Sequence, residues 1–397
     1  MTLMEKKTTK MEKPKNRSIG RPVLKGETPA PKAAERPETV SENDSVSLET
    51  PQPEIQARRS VESPRLRVGI TPGDGGPLHY GALARLFSDG GVFESVLPFV
   101  YGSSSLLAQA AEKAGLGDMN VAAINQIQDI KGKRAQVLEP RAEGEDGDVD
   151  AYAALQAGIR HLAQGQLRVL VSLPLTDEEV RERHADFKNQ AVAVAEIFSG
   201  SPFRLLLARS MRLSFLTTTA KQDTAGYLSP QRVEQRIKAI YDVLRSDFSI
   251  TTPRIAVLSA AMQGRPAQTD TEVLKPVVDR LLEGGMPVFG PYAAQDFFTK
   301  PDHEAFDAVL CMYKEQAEMA FDILPKEDCC YYTAGLPIVH VEPVFGNGDT
   351  ESAFRAVFRA LCTGVDLDAA RQQNMKLTEN PLGYHAASYR RDSREEN

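Results

Sequence analysis

Short apolar runs alternate along the chain with segments in which apolar residues recur at helical spacing. The apolar runs predict strands at 67–70, 96–100, 168–173, 205–207, 213–218, 254–259, 287–289, 308–313 and 336–341. Helical spacing predicts helices at 81–87, 103–114, 150–163, 192–198, 230–246, 271–284 and 350–363. Strands that alternate with helices are typical of an α/β fold with largely parallel sheets.

Both ends of the chain lack this pattern. Residues 1–65 are rich in Pro, Glu, Lys, Ser and Thr, and they hold too few apolar side chains to offset the entropy of ordering them. We therefore predict a disordered leader, basic up to Lys25 and mainly acidic from Glu27 onward. A basic arm can bind an acidic partner, although a solvated leader without a specific partner is the favoured interpretation. Residues from about Met375 turn polar, and we expect a frayed C-terminus over 379–397.

Composition and charge narrow the class of protein. The 397-residue chain is long enough for two domains, and 42% hydrophobic with 25% charged residues is typical of a soluble globular protein. A net charge of −7 argues against general nucleic-acid binding, which needs a basic face. No apolar run reaches the roughly 18 residues of a membrane span, and the N-terminus lacks the apolar core of a secretory signal. The four cysteines form no C-x-x-C pair, so we expect reduced thiols and a cytoplasmic protein.

The loop Thr71–Pro77 is the first candidate for a site, because ligands of open α/β sheets bind at the carboxyl ends of strands. It follows the first predicted strand and contains Gly73 and Asp74. Its glycines could bring backbone amides close to a phosphate. A tight strand–helix turn without a ligand is an equally good interpretation.

A second candidate is the polar segment Tyr313-Lys314-Glu315-Gln316, which follows the buried run at 308–312. Lys314 could bind an anion, or act as a base if burial depressed its pKa. A Lys–Glu pair on a solvated loop is the slightly favoured alternative.

The remaining Gly, Pro and His residues suggest structure more than chemistry. Gly335 and Pro337 precede a predicted strand, and we expect them to shape its entrance. The six histidines, at positions 79, 161, 184, 303, 340 and 385, form no spaced pair. The sequence therefore offers no metal constellation, and it holds no G-x-S-x-G nucleophile motif.

These segments, in this order, resemble the 4-hydroxythreonine-4-phosphate dehydrogenase (PdxA) family. I-T-P-G-D at 70–74 is similar to the family's opening T-P-G-D, P-R-I-A-V-L at 253–258 to its P-R-I-A-V strand, and A-A-Q-D-F-F at 293–298 to P-A-D-T-L-F. A-V-L-C-M-Y-K-E-Q at 308–316 is similar to A-V-L-A-M-Y-H-D-Q, and T-A-G-L-P-I at 333–338 to T-L-G-L-P-F. The resemblance covers about 66–363, and five motifs in one order make coincidence a poor explanation.

The resemblance implies an α/β fold with two domains, of the PdxA and isocitrate/isopropylmalate dehydrogenase-like type. Residues 66–170 with 335–378 would form one domain, and residues 171–334 the other. It also implies a homodimer and, by family, NAD-dependent oxidation of 4-hydroxythreonine-4-phosphate in pyridoxal phosphate synthesis. In the family, three histidines hold a divalent metal that polarises oxygens of the substrate. The cleft positions implied by the resemblance are Gly73, Asp74, Tyr313, Lys314, Glu315, Gln316, Gly335 and Pro337.

The chain departs from the family at all three metal positions. Gln190 stands where the first histidine is expected, Ala261 where the second is, and Lys314 where the third is. Alanine has no ligand atom, and the lysine ammonium places a cation where the metal would sit. We therefore expect no bound metal.

The family's contacts to the phosphorylated substrate are altered as well. Asp177 stands at the position of a family lysine, Asp322 near that of a second, and His340 where an arginine is expected. Two changes from cation to acid would repel a phosphorylated substrate. The family's D-H-G-T segment is replaced by V-F-G-N at 344–347.

Three functions are compatible with these departures. The favoured one is a degenerate, non-catalytic relative kept for binding or assembly, with an active paralogue as a conceivable partner. The second is a metal-independent enzyme of a related class that uses Lys314 and Glu315. The third is an ordinary NAD-dependent dehydrogenase, which the loss of all three metal ligands places well behind.

Overall fold

A computed structural model describes residues 65–117, 119–140, 150–208, 211–217, 228–261, 268–299, 301–319, 326–346 and 348–379. The predicted leader up to residue 64, the predicted fraying beyond residue 379 and the residue Asp322 lie outside these ranges.

Within these ranges, twelve β-strands form one sheet. In chain order they are β1 (Leu66–Thr71), β2 (Val96–Tyr101), β3 (Val121–Ile124), β4 (Ala135–Leu138), β5 (Val169–Ser172), β6 (Phe203–Ala208), β7 (Met211–Thr217), β8 (Ile255–Leu258), β9 (Val288–Tyr292), β10 (Ala308–Tyr313), β11 (Cys329–Ala334) and β12 (Val339–Pro343). Their order across the sheet is β3-β4-β2-β1-β5-β12-β11-β6-β7-β10-β8-β9.

Helices connect most of these strands. They are α1 (Pro77–Ser88), α2 (Val92–Ser95), α3 (Ser104–Lys113), α4 (Ala151–Ala163), α5 (Asp177–Arg183), α6 (Gln190–Ala195), α7 (Pro230–Asp247), α8 (Lys275–Glu283), α9 (Ala294–Thr299), α10 (Lys314–Glu318) and α11 (Thr350–Glu379). A π-helical turn, Asp270–Leu274, leads into α8. No helix in the described part of the chain is both long enough and apolar enough to cross a membrane.

The sheet consists of two parallel halves that run in opposite directions. Strands β3, β4, β2, β1, β5 and β12 are parallel to one another, and so are β7, β10, β8 and β9. The direction reverses where β12 pairs antiparallel with β11, and β6 lies antiparallel to both β11 and β7. The strands β5 and β10 therefore point their carboxyl ends in opposite directions.

The predicted division into domains, at 170/171 and 334/335, falls close to this reversal. Hydrogen bonds continue across it from β5 to β12 and from β12 to β11. Two independently formed domains therefore stay a prediction.

Burial follows the predicted pattern. All six residues of β10 and all four of β5 are buried, as expected for strands covered by helices on both faces. On α7 the buried apolar residues repeat at helical spacing on one face: Val233, Ile237, Ile240, Val243 and Leu244. Ser229 caps this helix by accepting a hydrogen bond from the amide of Arg232, and a proline occupies its first turn.

The structure differs from the predicted elements in three respects. Strands β3, β4 and β11 were not predicted, because the first two are four-residue segments rich in Ala and Gln, and they form only by pairing with their neighbours. The helix predicted over 350–363 is longer than expected, because α11 continues through the polar residues around Met375 to Glu379. The polar second half of α11 is held by tertiary contacts, among them a bidentate ion pair between Arg168 and Asp368 at 2.9 and 2.8 Å. The short helices α2, α5, α9 and α10 were not predicted either.

A buried polar network ties α11 to the rest of the fold. The Arg371 guanidinium donates to the Asp247 carboxylate at 2.9 Å and to the carbonyl of Ile338 at 2.6 Å. Tyr332 of β11 donates its hydroxyl to the same carboxylate at 2.5 Å. The side chains of Arg371 and Asp247 are only 13% and 3% exposed, so removing either charge leaves the other unpaired in the interior.

We expect Arg371→Met to destabilise the fold by roughly 3 kcal/mol or more, because it leaves the Asp247 carboxylate buried without its cation. Equilibrium unfolding in urea measures the change. Lys275→Met is the matched control, since Lys275 pairs with Asp279 on the exposed face of α8 and should cost at most about 1 kcal/mol. Equal losses for the two variants would contradict the role of the network.

Candidate functional site

The loop after β1 is fastened to the loop after β5. Gly73 adopts a φ of +60°, and a Cβ there would lie 1.9 Å from the carbonyl oxygen of Pro174. The amide of Asp74 donates to that same oxygen at 3.1 Å. The Asp74 carboxylate accepts from the amide and the hydroxyl of Thr176 at 2.6 and 2.8 Å. These contacts support the interpretation of the loop as a tight turn, with Gly73 required by the close approach.

A cavity of about 340 Å³ lies beside these loops. Its walls come from the segment after β5, the start of α6, one residue each of β6 and β11, and the end of β12. The lining residues are Pro174, Leu175, Asp177, Asn189, Gln190, Arg204, Tyr331, Glu342, Pro343, Val344 and Phe345. The position of the first family histidine, Gln190, and that of a family lysine, Asp177, thus face one cavity.

An ion pair between Arg204 and Glu342 forms one wall of the cavity. The Arg204 guanidinium carbon lies 4.0 Å from the centroid of the Tyr331 ring, which adds a cation–π contact. Burial raises the pKa of Glu342, and the neighbouring guanidinium opposes that rise. These three residues were not predicted from the sequence, although a charged residue at the end of the apolar run 338–341 was a signal for Glu342.

Gln190 is held in place by a hydrogen bond to the backbone. Its side-chain nitrogen donates to the carbonyl of Leu173 at 3.0 Å. Its side-chain oxygen is buried and has no hydrogen-bond partner among the described residues. Because the Leu173 carbonyl can only accept, this bond fixes the orientation of the amide.

A second cluster forms at the carboxyl ends of β8 and β10. The Gln316 side-chain oxygen accepts from the amides of Met312 and Tyr313 at 2.8 and 3.2 Å, and its nitrogen donates to the carbonyl of Ser259 at 2.8 Å. The Tyr313 hydroxyl donates to the carbonyl of Ala260 at 3.2 Å. Gln316 and Tyr313 therefore join two strand ends and have a structural role.

Asp270 stabilises the segment that carries Ala261. Its carboxylate accepts from the amide of Ala260 at 2.8 Å and from the Ser259 hydroxyl. That hydroxyl oxygen in turn accepts from the Ala261 amide at 2.8 Å. This carboxylate lies outside every predicted motif, so sequence reasoning missed it.

Lys314 and Glu315 do not form the predicted pair. Lys314 lies in the first turn of α10, and its Nζ is 2.8 Å from the carboxylate of Glu318 one turn later. Glu315 is exposed. The slightly favoured interpretation, a Lys–Glu pair on a loop, was thus wrong in its partner and in its element, because the helical spacing i,i+4 brings Glu318 and not Glu315 beside Lys314.

Gly335 and Pro337 lie in the turn between β11 and β12. Gly335 has a φ of +79°, and a Cβ would approach the carbonyl of Ser201 to 3.2 Å. Since β12 is parallel to β5, this turn lies at the amino end of β5, away from Pro174 and the cavity at its carboxyl end. The residues shape the entrance of the strand, and neither lines the cavity.

Two histidines near these elements are packed residues. His340 is fully buried, with ring nitrogens 2.9 Å from the Thr333 hydroxyl and 3.0 Å from the Ser172 hydroxyl. Burial lowers the pKa of His340 to about 3, so at neutral pH it supplies no positive charge in place of the family arginine. His79 packs against Phe345 with ring centroids 5.2 Å apart, and burial lowers its pKa as well.

The three positions that hold metal in the family do not meet in one chain. Ala261 and Lys314 follow neighbouring strands, β8 and β10, whereas Gln190 contacts the segment after β5. Four strands lie between β5 and β10. The five spacings between neighbouring strands, at about 4.8 Å each, place β5 and β10 roughly 24 Å apart across the sheet. Ligands of one zinc ion lie only about 2 Å from the metal. Across the described residues, no group of three His, Cys, Asp or Glu side chains could hold a metal.

The chain is similar in sequence to proteins of one family. The sequence model of the family described as "Pyridoxal phosphate biosynthetic protein PdxA" matches residues 94–350. A 4-hydroxythreonine-4-phosphate dehydrogenase of Bacteroides thetaiotaomicron is 26% identical over 357 residues, which cover 84% of this chain and 97% of that protein. A second, of Erythrobacter litoralis, is 27% identical over 271 residues, covering 64% and 80%.

A solved structure shares the architecture. The 4-hydroxythreonine-4-phosphate dehydrogenase of Klebsiella pneumoniae superimposes with a TM-score of 0.61 at 16% identity, covering 76% of this chain and 99% of that one. At this identity the likeness shows the fold alone, and it confirms the fold class predicted from the resemblance.

We expect Gly73→Ala to destabilise the protein by more than the roughly 1–2 kcal/mol that a left-handed backbone costs an L-residue, because its Cβ also overlaps the Pro174 carbonyl. Gly132→Ala is the matched control: its φ is +72°, and no atom of the described residues lies within 4 Å of the added Cβ. Thermal unfolding of both variants separates the two contributions. Equal losses would show that the loop moves aside at no cost.

Proposed function

Since the chain belongs to the PdxA family, we propose that it is a degenerate, non-catalytic member that has kept the fold for a binding or assembly role. The family model covers 94–350, which includes both clusters described above.

The observation that carries the proposal is the state of the three metal positions. Gln190 donates its amide to a backbone carbonyl, Ala261 has no ligand atom, and Lys314 forms an ion pair with Glu318. In this arrangement none of the three side chains can serve as a ligand to zinc. The family's metal therefore does not fit these residues.

Charge at the substrate contacts supports the same conclusion. Asp177 places a carboxylate where the family has a lysine, and His340 is neutral at physiological pH. Arg204, the cation of the cavity wall, is already paired with Glu342. A phosphate group entering this cavity would meet more negative than positive charge.

The alternatives have less support. A metal-independent enzyme would use Lys314 together with Glu315. The Lys314 ammonium forms its ion pair with Glu318 instead. An ordinary dehydrogenase needs the metal that these residues do not accommodate. Binding of NAD and a cytoplasmic location stay predictions of the resemblance and composition.

A homodimer is part of the proposal. Within one chain, Gln190 lies far from Ala261 and Lys314. A family site made from these three positions therefore requires a second copy of the chain to bring them together. The same geometry would let this chain pair with an active paralogue, with each contributing part of the site.

We expect no measurable NAD-dependent oxidation of 4-hydroxythreonine-4-phosphate, followed as NADH absorbance with added zinc or magnesium. A metal that polarises the substrate stabilises the transition state by several kcal/mol, and each 1.4 kcal/mol added to the activation barrier lowers the rate about tenfold. The Bacteroides thetaiotaomicron relative is the positive control. Turnover near 1 per second by the unaltered chain, within the usual enzyme range, would contradict the proposal.

The triple variant Gln190→His, Ala261→His and Lys314→His extends this test. We expect it to retain zinc in elemental analysis without gaining turnover, because Asp177 still opposes the phosphate. A single histidine should retain no metal, since one ligand does not hold the ion. Turnover in the triple variant would show that the metal site was the only loss.

We expect light scattering at micromolar concentration to give about 87 kDa, twice the chain mass of 43.5 kDa. A mass of one chain across the concentration range would contradict the homodimer. A mixed dimer would appear only on addition of a second family member.

A further inference from the structure

Another cavity, here called the aromatic cavity, lies at the carboxyl end of β9, the last strand in the order of the sheet. Its volume of about 490 Å³ is within the range of small-molecule sites. The lining consists of two alanines and five larger residues: Pro291, Tyr292, Asp296, Phe297 and Phe306. Six of these seven residues are apolar or aromatic and one is charged, which is the composition expected of a ligand pocket.

The three aromatic rings of the lining form one compact group. The ring centroid of Tyr292 is 5.6 Å from that of Phe297, and the centroid of Phe306 lies 5.8 Å from each of them. Phe297 is only 5% exposed, whereas Tyr292 and Phe306 are half-buried. The accessible ring surface therefore belongs mainly to Tyr292 and Phe306. Ring faces carry partial negative charge, so such a wall attracts cations as well as apolar groups.

The charge of the lining comes from Asp296. This side chain is exposed, and it has no ion-pair partner among the residues that the structure describes. Arg254 lies outside the lining, with its guanidinium carbon 5.5 Å from the centroid of the Phe306 ring and 5.6 Å from that of Phe289. The lining itself thus carries one negative charge beside an apolar wall, and it suits a cation with an apolar body.

Asp296 and Phe297 also depart from the motif to which their segment is similar. In the alignment of 293–298 with P-A-D-T-L-F, Asp296 stands at the position of the threonine and Phe297 at that of the leucine. The charge and one of the three rings are therefore features of this chain and not of the motif.

We propose that the aromatic cavity binds a small arylalkyl ammonium compound, with its ring against Tyr292 and Phe306 and its ammonium group beside Asp296. The inference goes beyond the non-catalytic proposal and does not depend on it. None of the residues at the altered metal and phosphate positions lines this cavity.

The test is a ligand-observed NMR titration of the full chain with three probes that share a phenyl ring and differ in charge: phenethylammonium, neutral phenylethanol and anionic phenylacetate. We expect phenethylammonium to bind most tightly and phenylacetate least tightly. The Asp296 carboxylate alone should favour the ammonium over the alcohol roughly 2- to 5-fold, the range for an ion pair at an exposed position.

Two variants separate the charge from the ring. Asp296→Asn should weaken the binding of phenethylammonium by that same factor and leave phenylethanol unchanged. Phe306→Leu keeps an apolar side chain without the ring, and it should weaken both probes roughly 2- to 10-fold, the range for an aromatic pair. The matched control is Glu304→Gln, because Glu304 is exposed, adjoins the lining residue Ala305 and does not itself line the cavity. This control should bind every probe like the unaltered chain, and thermal unfolding verifies that each variant is folded.

Several outcomes would overturn the inference: no binding of phenethylammonium, equal binding of phenylethanol, tighter binding of phenylacetate, or equal effects of the Asp296 and Glu304 variants. A dimer that is lost in Phe306→Leu, as measured by light scattering, would show that a second copy covers the cavity and would overturn it as well. If the Phe306 variant does not fold, the exposed Asp296 position still decides the question. Turnover in the NADH assay bears on the non-catalytic proposal alone.

Discussion

The antiparallel series β12-β11-β6-β7 is the constraint on which the rest of the structure depends. Its three pairings join two parallel groups of strands with opposite directions into one sheet of twelve strands in the described part of the chain. Because loops after parallel strands gather at one edge, each half has its own group of strand-end residues. The cavity at β5 and the cluster at β8 and β10 are consequently far apart in one chain, and a joint site requires a second copy.

The two groups of strand-end residues differ in what their polar side chains do. At β8 and β10 the polar side chains are occupied in binding strand ends together, as Gln316 does between Met312 and Ser259. At β5 the side chains of Asp177 and of the ion-paired Arg204 and Glu342 line an open cavity. The first group is a structural cluster, whereas the second surrounds an open space.

Hydrogen bonds and an ion pair explain how the fold accommodates Gln190, Lys314 and His340 at the positions where the family has other residues. Gln190 has one committed hydrogen bond, and Lys314 has a partner at helical spacing. His340 is neutral between two hydroxyl groups inside the sheet. A cation at that buried position would need a counter-charge that the neighbouring hydroxyl groups do not supply, so replacement of the family arginine is consistent with a closed interior.

The sequence by itself determined the alternation of strands and helices, the family, and the absence of three histidines, because periodicity and motifs are local properties of the chain. It did not identify β3, β4 and β11, whose residues become strands only beside their neighbours, nor the end of α11, which ion pairs with Arg168 and Asp247 extend. Only the tertiary structure placed Glu342 on Arg204, Asp270 beside Ala260, and Gly335 away from the cavity. These residues are brought together, or kept apart, by strand register and sheet direction, which the order of residues along the chain does not specify.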